Sequence, residues 1–181
     1  MQRVVERAGG KAWGAGGGRG RVPGGGTGVI VGAVADIDLF LQSRGFDAFY
    51  GLELLELGAE SAHGRLVVRE EHKQPFGLVH GGIYAAIAEG LASFSTVSVV
   101  LSQGKLASGL SNQTSFLRPV TGGTIDARAT CKHSGRTTWV WEVEMTDDQA
   151  RLCAISRVTL AVRDLPEEWP RDRLAGFEGA V

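Results

Sequence analysis

The feature that most constrains the fold of this chain is a long apolar run that contains a single carboxylate. From Gly82 to Leu101 the only charged residue is Glu89, which lies among Ile, Ala, Leu, Phe and Val. A run of this length is typical of a helix that is buried in protein or spans a bilayer, and its serines and threonine favour burial in protein. Because an isolated charge is expensive to bury, we expect Glu89 to be paired, hydrogen-bonded or neutralised. Glu89 is therefore the first candidate for chemistry.

Length and composition predict one globular domain. The chain has 181 residues, 43% of them hydrophobic, and the domain is expected over residues 36–165. The first 35 residues are rich in glycine and predict a flexible tail, and the polar residues 166–181 predict a loose C-terminal tail. A net charge of -1 argues against nucleic acid or an anionic membrane as the main partner.

The spacing of the cysteines and histidines predicts neither a metal site nor a set of disulfide bonds. Cys131 and Cys153 lie in strand-like segments, which predicts reduced thiols of a cytoplasmic protein. The four histidines are far apart in the sequence and match no metal-ligand spacing. We therefore predict neither a metal site nor a cofactor.

Hydrophobic periodicity predicts an α+β fold in which a five- to six-stranded antiparallel sheet wraps a long central helix. Asp36–Phe49 predicts a short helix and a turn, and two strands are expected on either side of a turn at Gly64. Trp139, Trp141, Val143 and Met145 alternate with polar residues, as in a half-buried strand. The predicted strands are 52–57, 65–69, 107–117, 124–133, 138–145 and 152–162, the last four forming a meander.

The all-apolar helix also predicts an oligomer. A helix that is apolar on every side must be covered on every side, and one curved sheet covers only part of it. The remaining face requires a loop layer or a second subunit.

The spacing within the helix places its glycine end and Glu89 far apart. If Gly82 opens the helix, the free N–H groups of the first turn could polarise a ligand carbonyl there. Glu89 is then roughly 11–12 Å further along the axis at 1.5 Å per residue. Either the two features have separate roles, or a site combines Glu89 of one subunit with the glycine end of another. Ser93, four residues beyond Glu89, lies on the same helix face.

Several motifs resemble one enzyme family. They are the segments 74–82 (QPFGLVHGG), 88–89 (AE), 111–120 (SNQTSFLRPV), 137–139 (TTW) and 151–154 (RLCA). Together they resemble the hotdog-fold acyl-CoA thioesterases, a group that includes the phenylacetate-pathway thioesterases. The resemblance is strongest to the Arthrobacter-type 4-hydroxybenzoyl-CoA thioesterases and extends over residues 52–163.

The resemblance implies subunit dimers with active sites at their interface, usually assembled into tetramers. It implies that Glu89 attacks the thioester carbonyl or activates a water, while the Gly81 N–H of the neighbouring subunit polarises that carbonyl. Gln74 and His80 match residues that position the thioester and orient the helix end. Ser93 stands where close relatives carry a threonine that holds the hydrolytic water.

The resemblance also implies contacts to the substrate and its CoA part. The CoA phosphates suit arginine, whose guanidinium makes bidentate contacts to phosphate. Arg136 departs from the close relatives, which carry a small hydroxyl residue there. The implied residues are Ser115, Phe116, Arg118, His133, Ser134, Gly135, Arg136, Thr137 and Arg163.

We therefore expect hydrolysis of an acyl-CoA thioester with an aromatic acyl group to the free acid and CoA. CoA is then part of the substrate and not a cofactor. Two alternatives stay open at this stage: a non-catalytic acyl-CoA-binding hotdog protein and a hotdog dehydratase. Glu89 could also anchor an interface by pairing with an arginine. The residues leave open whether Glu89 is nucleophile or general base, and whether the oligomer is a dimer or a tetramer.

Overall fold

A computed structural model describes residues 45–170 and Leu174. The predicted N-terminal tail and most of the predicted C-terminal tail lie outside the described residues, as do residues 36–44 of the predicted first helix. The helices are α1 (Gly45–Tyr50) and α2 (Gly81–Val100). The strands are β1 (Glu53–Leu57), β2 (Ser61–Val67), β3 (Lys105–Phe116), β4 (Thr124–Ser134), β5 (Thr138–Thr146) and β6 (Leu152–Asp164).

The six strands form one antiparallel sheet in the order β1-β2-β4-β5-β6-β3, and α2 packs on its inner face. The predicted four-strand meander is wrong, because β3 pairs with β6 and not with its successor β4. The connection after β3 does not turn back as a hairpin. The N–H groups of Leu117 and Arg118 bind the Cys153 carbonyl, and Val120 accepts from the Val79 N–H. These bonds lead the chain across to β2 and leave β3 at the edge of the sheet.

The inner face of β5 forms the centre of the core, as the alternation predicted. Trp139 is 6% exposed, and Trp141, Val143 and Met145 are fully buried. The Trp141 indole N–H donates to Thr96 Oγ1 at 2.9 Å, which gives this buried polar group its partner. Strand β5 and helix α2 are thereby fixed to each other.

Gly64 corrects the prediction of a turn. It lies in the middle of β2, and the chain turns at residues 58–60. A Cβ on Gly64 would lie 2.9 Å from Leu91 Cδ2 and 3.1 Å from the Glu53 carbonyl oxygen. Glycine is therefore required here because helix α2 and strand β1 approach the backbone of β2 closely.

Helix α2 is long and apolar enough to span a membrane, but most of it is buried in the protein. The segment 81–103 is long and apolar enough to cross a bilayer, and 67% of its most apolar window is buried in the protein. The described residues leave one strip of α2 uncovered: Gly82 and Glu89 are exposed, and Ala85, Ala86 and Ser93 are half-buried. Next to this strip, Leu110 and Phe116 of β3 are each 59% exposed.

Candidate active site

The N-terminus of α2 is built by His80. Its backbone is extended, with φ -67° and ψ 136°, and its Nδ1 accepts from the Gly82 N–H at 2.9 Å. This side chain therefore caps the helix and satisfies one of the free N–H groups of the first turn. The His80 N–H in turn donates to the His72 carbonyl at 2.8 Å, which ties the helix start to the preceding loop.

The Gly81 N–H remains available. Within residues 45–170, no group accepts a hydrogen bond from it. The ring of Phe116 lies directly over Gly81, because a Cβ at this position would be 2.7 Å from Phe116 Cζ. A cavity of about 560 Å³ opens at this helix end. It is lined by residues that include Gln74, His80, Gly81, Gly82, Tyr84, Phe116 and Arg118.

Glu89 lies in a second cavity of about 410 Å³, and its side chain is exposed. This corrects the expectation of a buried charge: the small, apolar residues of the strip concealed an open helix face. Ser93 Oγ donates to Glu89 Oε1 across 3.5 Å, so the predicted shared face is confirmed. Gly109, at an irregularity in the pairing of β3, makes room for the carboxylate. A Cβ on Gly109 would lie 3.1 Å from Glu89 Oε1.

The two cavities are neighbours on the same strip of α2. Gly82 lines both, but Glu89 lines only one and Gly81 only the other. Within the described part of one chain, the carboxylate and the free N–H therefore face different spaces. This arrangement is the one expected from the helix rise.

Several proteins to which this chain is similar are named as thioesterases or as an acyl-CoA hydrolase. The family model described as the thioesterase superfamily matches residues 76–154. A thioesterase from Haemophilus influenzae is 35% identical with a TM-score of 0.65, and the match covers 72% of this chain and 90% of that one. A 1,4-dihydroxy-2-naphthoyl-CoA hydrolase from Listeria monocytogenes is 33% identical over 119 residues, covering 67% of this chain and 96% of the relative. The chain belongs to the thioesterase superfamily. A variant of a thioesterase from Pseudomonas aeruginosa also aligns, with 29% identity, a TM-score of 0.69 and coverage of 73% and 94%.

The family resemblance, the hotdog fold and the prediction of an enzyme are thereby confirmed. This thioesterase has the long helix and the wrapped antiparallel sheet that the resemblance implied. The roles of the individual site residues and the absence of a cofactor stay predictions.

The hairpin that joins β4 and β5 in this thioesterase contains the predicted CoA-binding loop, His133–Thr137. The Gly135 N–H donates to the Thr138 carbonyl at 2.9 Å, and Arg163 Nη1 donates to the Thr137 carbonyl at 3.0 Å. The structure thus brings Arg163 to this loop, where Ser134 and Arg136 are exposed. Arg118 instead lines the cavity at Gly81, and Ser115 is exposed on β3 next to Phe116.

Three residues of the thioesterase to which the sequence gives no role, Asn112, Thr114 and His72, support the site. Asn112 Nδ2 donates to the Ala85 carbonyl at 2.9 Å, and Thr114 Oγ1 binds both Asn112 Oδ1 and Ser156. This chain of bonds fastens β3 to the open strip of α2. His72 is buried and accepts from the Arg69 N–H through Nδ1. Burial, then the nearby Arg69 charge, lowers the pKa of His72, so the ring stays neutral and can accept this bond.

The described residues contain no group of three or more His, Cys, Asp and Glu side chains placed to hold a metal ion. Burial raises the pKa of Tyr84, which lines the Gly81 cavity, and its phenol stays protonated near neutral pH. Its ring lies 6.0 Å from that of Phe116. Tyr84 thus contributes an aromatic wall to the cavity.

Proposed function

We propose that this thioesterase hydrolyses an acyl-CoA thioester with an aromatic acyl group to the free acid and CoA. Two subunits would form each site, with Glu89 from one and the Gly81 N–H from the other. Hydrolysis of a CoA ester of a bicyclic aromatic acid is the activity named for the Listeria relative. The Gly81 cavity has an aromatic wall of Phe116 and Tyr84, which is compatible with such a substrate.

One observation carries the proposal: the carboxylate and the free N–H stand on one helix but open into separate cavities. A thioester carbonyl requires both an attacking group and a hydrogen-bond donor for its developing oxyanion. A second subunit would bring its own helix end to the Glu89 cavity. Strand β3 is an edge strand with exposed apolar side chains beside both cavities, which supports pairing of two subunits there.

Two routes give the same products. In the nucleophilic route, a Glu89 oxygen bonds to the carbonyl carbon, the C–S bond breaks, and CoA leaves as a thiolate that takes up a proton. Water then cleaves the mixed anhydride and restores the carboxylate. In the base route, Glu89 removes a proton from a water that attacks the carbonyl directly, the C–S bond breaks, and the leaving CoA thiolate takes up the proton from Glu89. Ser93, which already donates to the carboxylate, would hold the water in either route.

The remaining polar residues of the site would orient the substrate. His80 would keep its N-cap bond to Gly82, so that the Gly81 N–H is the donor left free at the helix end. Gln74 lines the same cavity and would hold the thioester. Arg118, Arg136 and Arg163 are the candidates for the CoA phosphates, since guanidinium binds phosphate through two parallel N–H bonds.

The test is hydrolysis of benzoyl-CoA, measured by the appearance of the free thiol of CoA. Wild-type protein is expected to turn over, and Glu89→Gln, which keeps the shape and removes the charge, is expected to lose about 10²–10⁴-fold in kcat. The matched control is Glu144→Gln, which changes an exposed carboxylate on the outer side of β5 and is expected to leave kcat unchanged. Full activity of Glu89→Gln would remove Glu89 from the mechanism. Oxygen-18 from solvent enters the Glu89 carboxylate in a single turnover only by the nucleophilic route.

A further inference from the structure

An exposed aromatic side chain of α1, Phe46, is one of the residues that line the Glu89 cavity. Phe46 lies on the six-residue helix α1 and is 60% exposed. It lines the cavity together with Glu89. Its ring packs against Tyr50 with a centroid distance of 5.1 Å. The sequence motifs of the family begin beyond α1, so nothing in them assigns Phe46 a role.

Helix α1 is held in place firmly enough to present this ring. Tyr50 is 1% exposed, and its hydroxyl donates to Asp47 Oδ1 at 2.9 Å. The ring reaches the backbone of α2 at Gly90, where a Cβ would lie 2.7 Å from the Tyr50 oxygen. The guanidinium of Arg69 donates to the carbonyl of Phe49, the neighbour of Tyr50 at the same end of α1. The C-terminal end of α1, one turn beyond Phe46, is therefore fixed against α2 and the loop at Arg69.

The chemistry of this cavity fits the acyl half of the substrate and not the CoA half. Apart from Glu89, its wall is formed by small or apolar groups such as Ala85, Ala86 and Leu110, with polar Ser111 and Asn112 at one side. The described residues that line it include no Lys, Arg or His. An anionic nucleotide would meet the Glu89 carboxylate here without any compensating cation. A neutral acyl group would meet apolar surface.

We propose that Phe46 is a specificity-determining residue that forms one wall of the acyl site beside Glu89 and favours aromatic acyl groups. An aromatic ring can stack on Phe46 in the tilted or offset geometry that aromatic pairs prefer, which a short aliphatic chain cannot do. This inference rests on the proposed function, because the occupant is the acyl group of the thioester that Glu89 attacks.

The test compares kcat/KM for benzoyl-CoA and acetyl-CoA in three variants. Phe46→Ala is expected to lower kcat/KM for benzoyl-CoA about tenfold and that for acetyl-CoA by less than about threefold, as expected for loss of one aromatic contact. Phe46→Tyr should keep the aromatic preference. Val67→Ala is the control, because Val67 is an apolar residue of β2 that is 62% exposed and does not line the cavity. It should change both values by less than about threefold.

Binding of two inert thioethers separates the possible failures. Phenacyl-CoA and propyl-CoA lack the scissile bond, and calorimetry measures their Kd with each variant. If the wild type hydrolyses neither ester, the proposed function fails, and the inference still stands only if Phe46→Ala weakens phenacyl-CoA selectively. If the wild type hydrolyses benzoyl-CoA but Phe46→Ala lowers both esters equally or neither, the inference is overturned while the proposed function stands.

Discussion

At the scale of the residue, the position of the Glu89 carboxylate depends on the missing side chain of Gly109. Gly109 has no side chain, and the pairing of β3 with β6 shifts its register just beyond it. The carboxylate therefore lies close against the strand, with Ser93 as its hydrogen-bond donor. A displacement of about 1 Å at a reacting group can cost about 10²-fold in rate, so under the proposed function Gly109 would help to position Glu89.

Gly109→Ala tests this placement. The added methyl group would lie 3.1 Å from Glu89 Oε1, so the carboxylate must move by a few tenths of an ångström. We expect kcat for benzoyl-CoA to fall about tenfold with little change in the melting temperature. Gly122→Ala is the control, since a Cβ there has no neighbour within 4 Å. Equal activity of the two variants would show that the close contact at Gly109 is irrelevant.

At the scale of the element, the hairpin between β5 and β6 depends on one carboxylate. Asp147 Oδ1 accepts from the N–H groups of Gln149 and Arg151, both at 3.0 Å, and Oδ2 accepts from the Arg151 side chain. The hydrogen bond from the Arg151 side chain, with these backbone bonds, lowers the pKa of Asp147 to about 2. The turn also holds Ala150 at φ 56°, a strained conformation for a residue with a side chain.

This hairpin predicts a pH dependence of stability. A depressed carboxyl pKa stabilises the fold above the unfolded value of about 3.8, and that contribution is lost as the pH falls through about 2. The difference in urea midpoint between the wild type and Asp147→Asn should therefore be constant above pH 5 and shrink between pH 4 and 2. A difference that does not depend on pH would mean that the carboxylate charge contributes nothing.

The sequence predicted the elements better than it predicted their arrangement. The bounds of α2 and the buried face of β5 follow from local hydrophobic patterns, which act over a few residues. The place of β3 at the sheet edge depends on distant partners such as Cys153, and no local pattern encodes it. The sequence predicts a turn at Gly64 because an isolated glycine looks the same in a turn and under a closely packed helix.

The same reasoning explains the result at the site. The resemblance to the family points to Gly81, Glu89 and Ser93. The helix rise predicts that Gly81 and Glu89 lie far apart, and in the structure they line different cavities. The exposure of Glu89 was missed because the strip around it consists of Gly and Ala, which look like core residues in a sequence. No motif points to Phe46, because it reaches the Glu89 cavity from a separate helix.

At the scale of the whole molecule, the proposal that two chains share each site predicts complementation between two inactive variants. Gly81→Pro deletes the N–H, and proline is well suited to the first position of a helix. The extended backbone of His80 also suits a residue that precedes proline. Gly81→Ala keeps the N–H and carries the same contact with Phe116, so it is the matched control.

Co-expression of Glu89→Gln and Gly81→Pro chains should restore activity. In a random mixture half of the pairs are mixed, and each mixed pair has one intact site of two, so about one quarter of wild-type activity is expected. Each variant alone should be inactive, while Gly81→Ala alone should keep more activity than Gly81→Pro. If both site residues act within one chain, the mixture will be as inactive as its components.

Helix α2 holds the Gly81 N–H in its first turn and the Glu89 carboxylate two turns later, on one backbone without a break. Under the proposed arrangement each α2 helix therefore contributes to two different active sites. A shift of α2 along its axis would displace the Gly81 N–H in one active site and the Glu89 carboxylate in the other. Under that arrangement, packing residues beneath the helix, such as Leu91 against Gly64, would influence two reactions at once although they touch no substrate. The two centres of a pair are therefore expected to gain or lose rate together when such a contact changes.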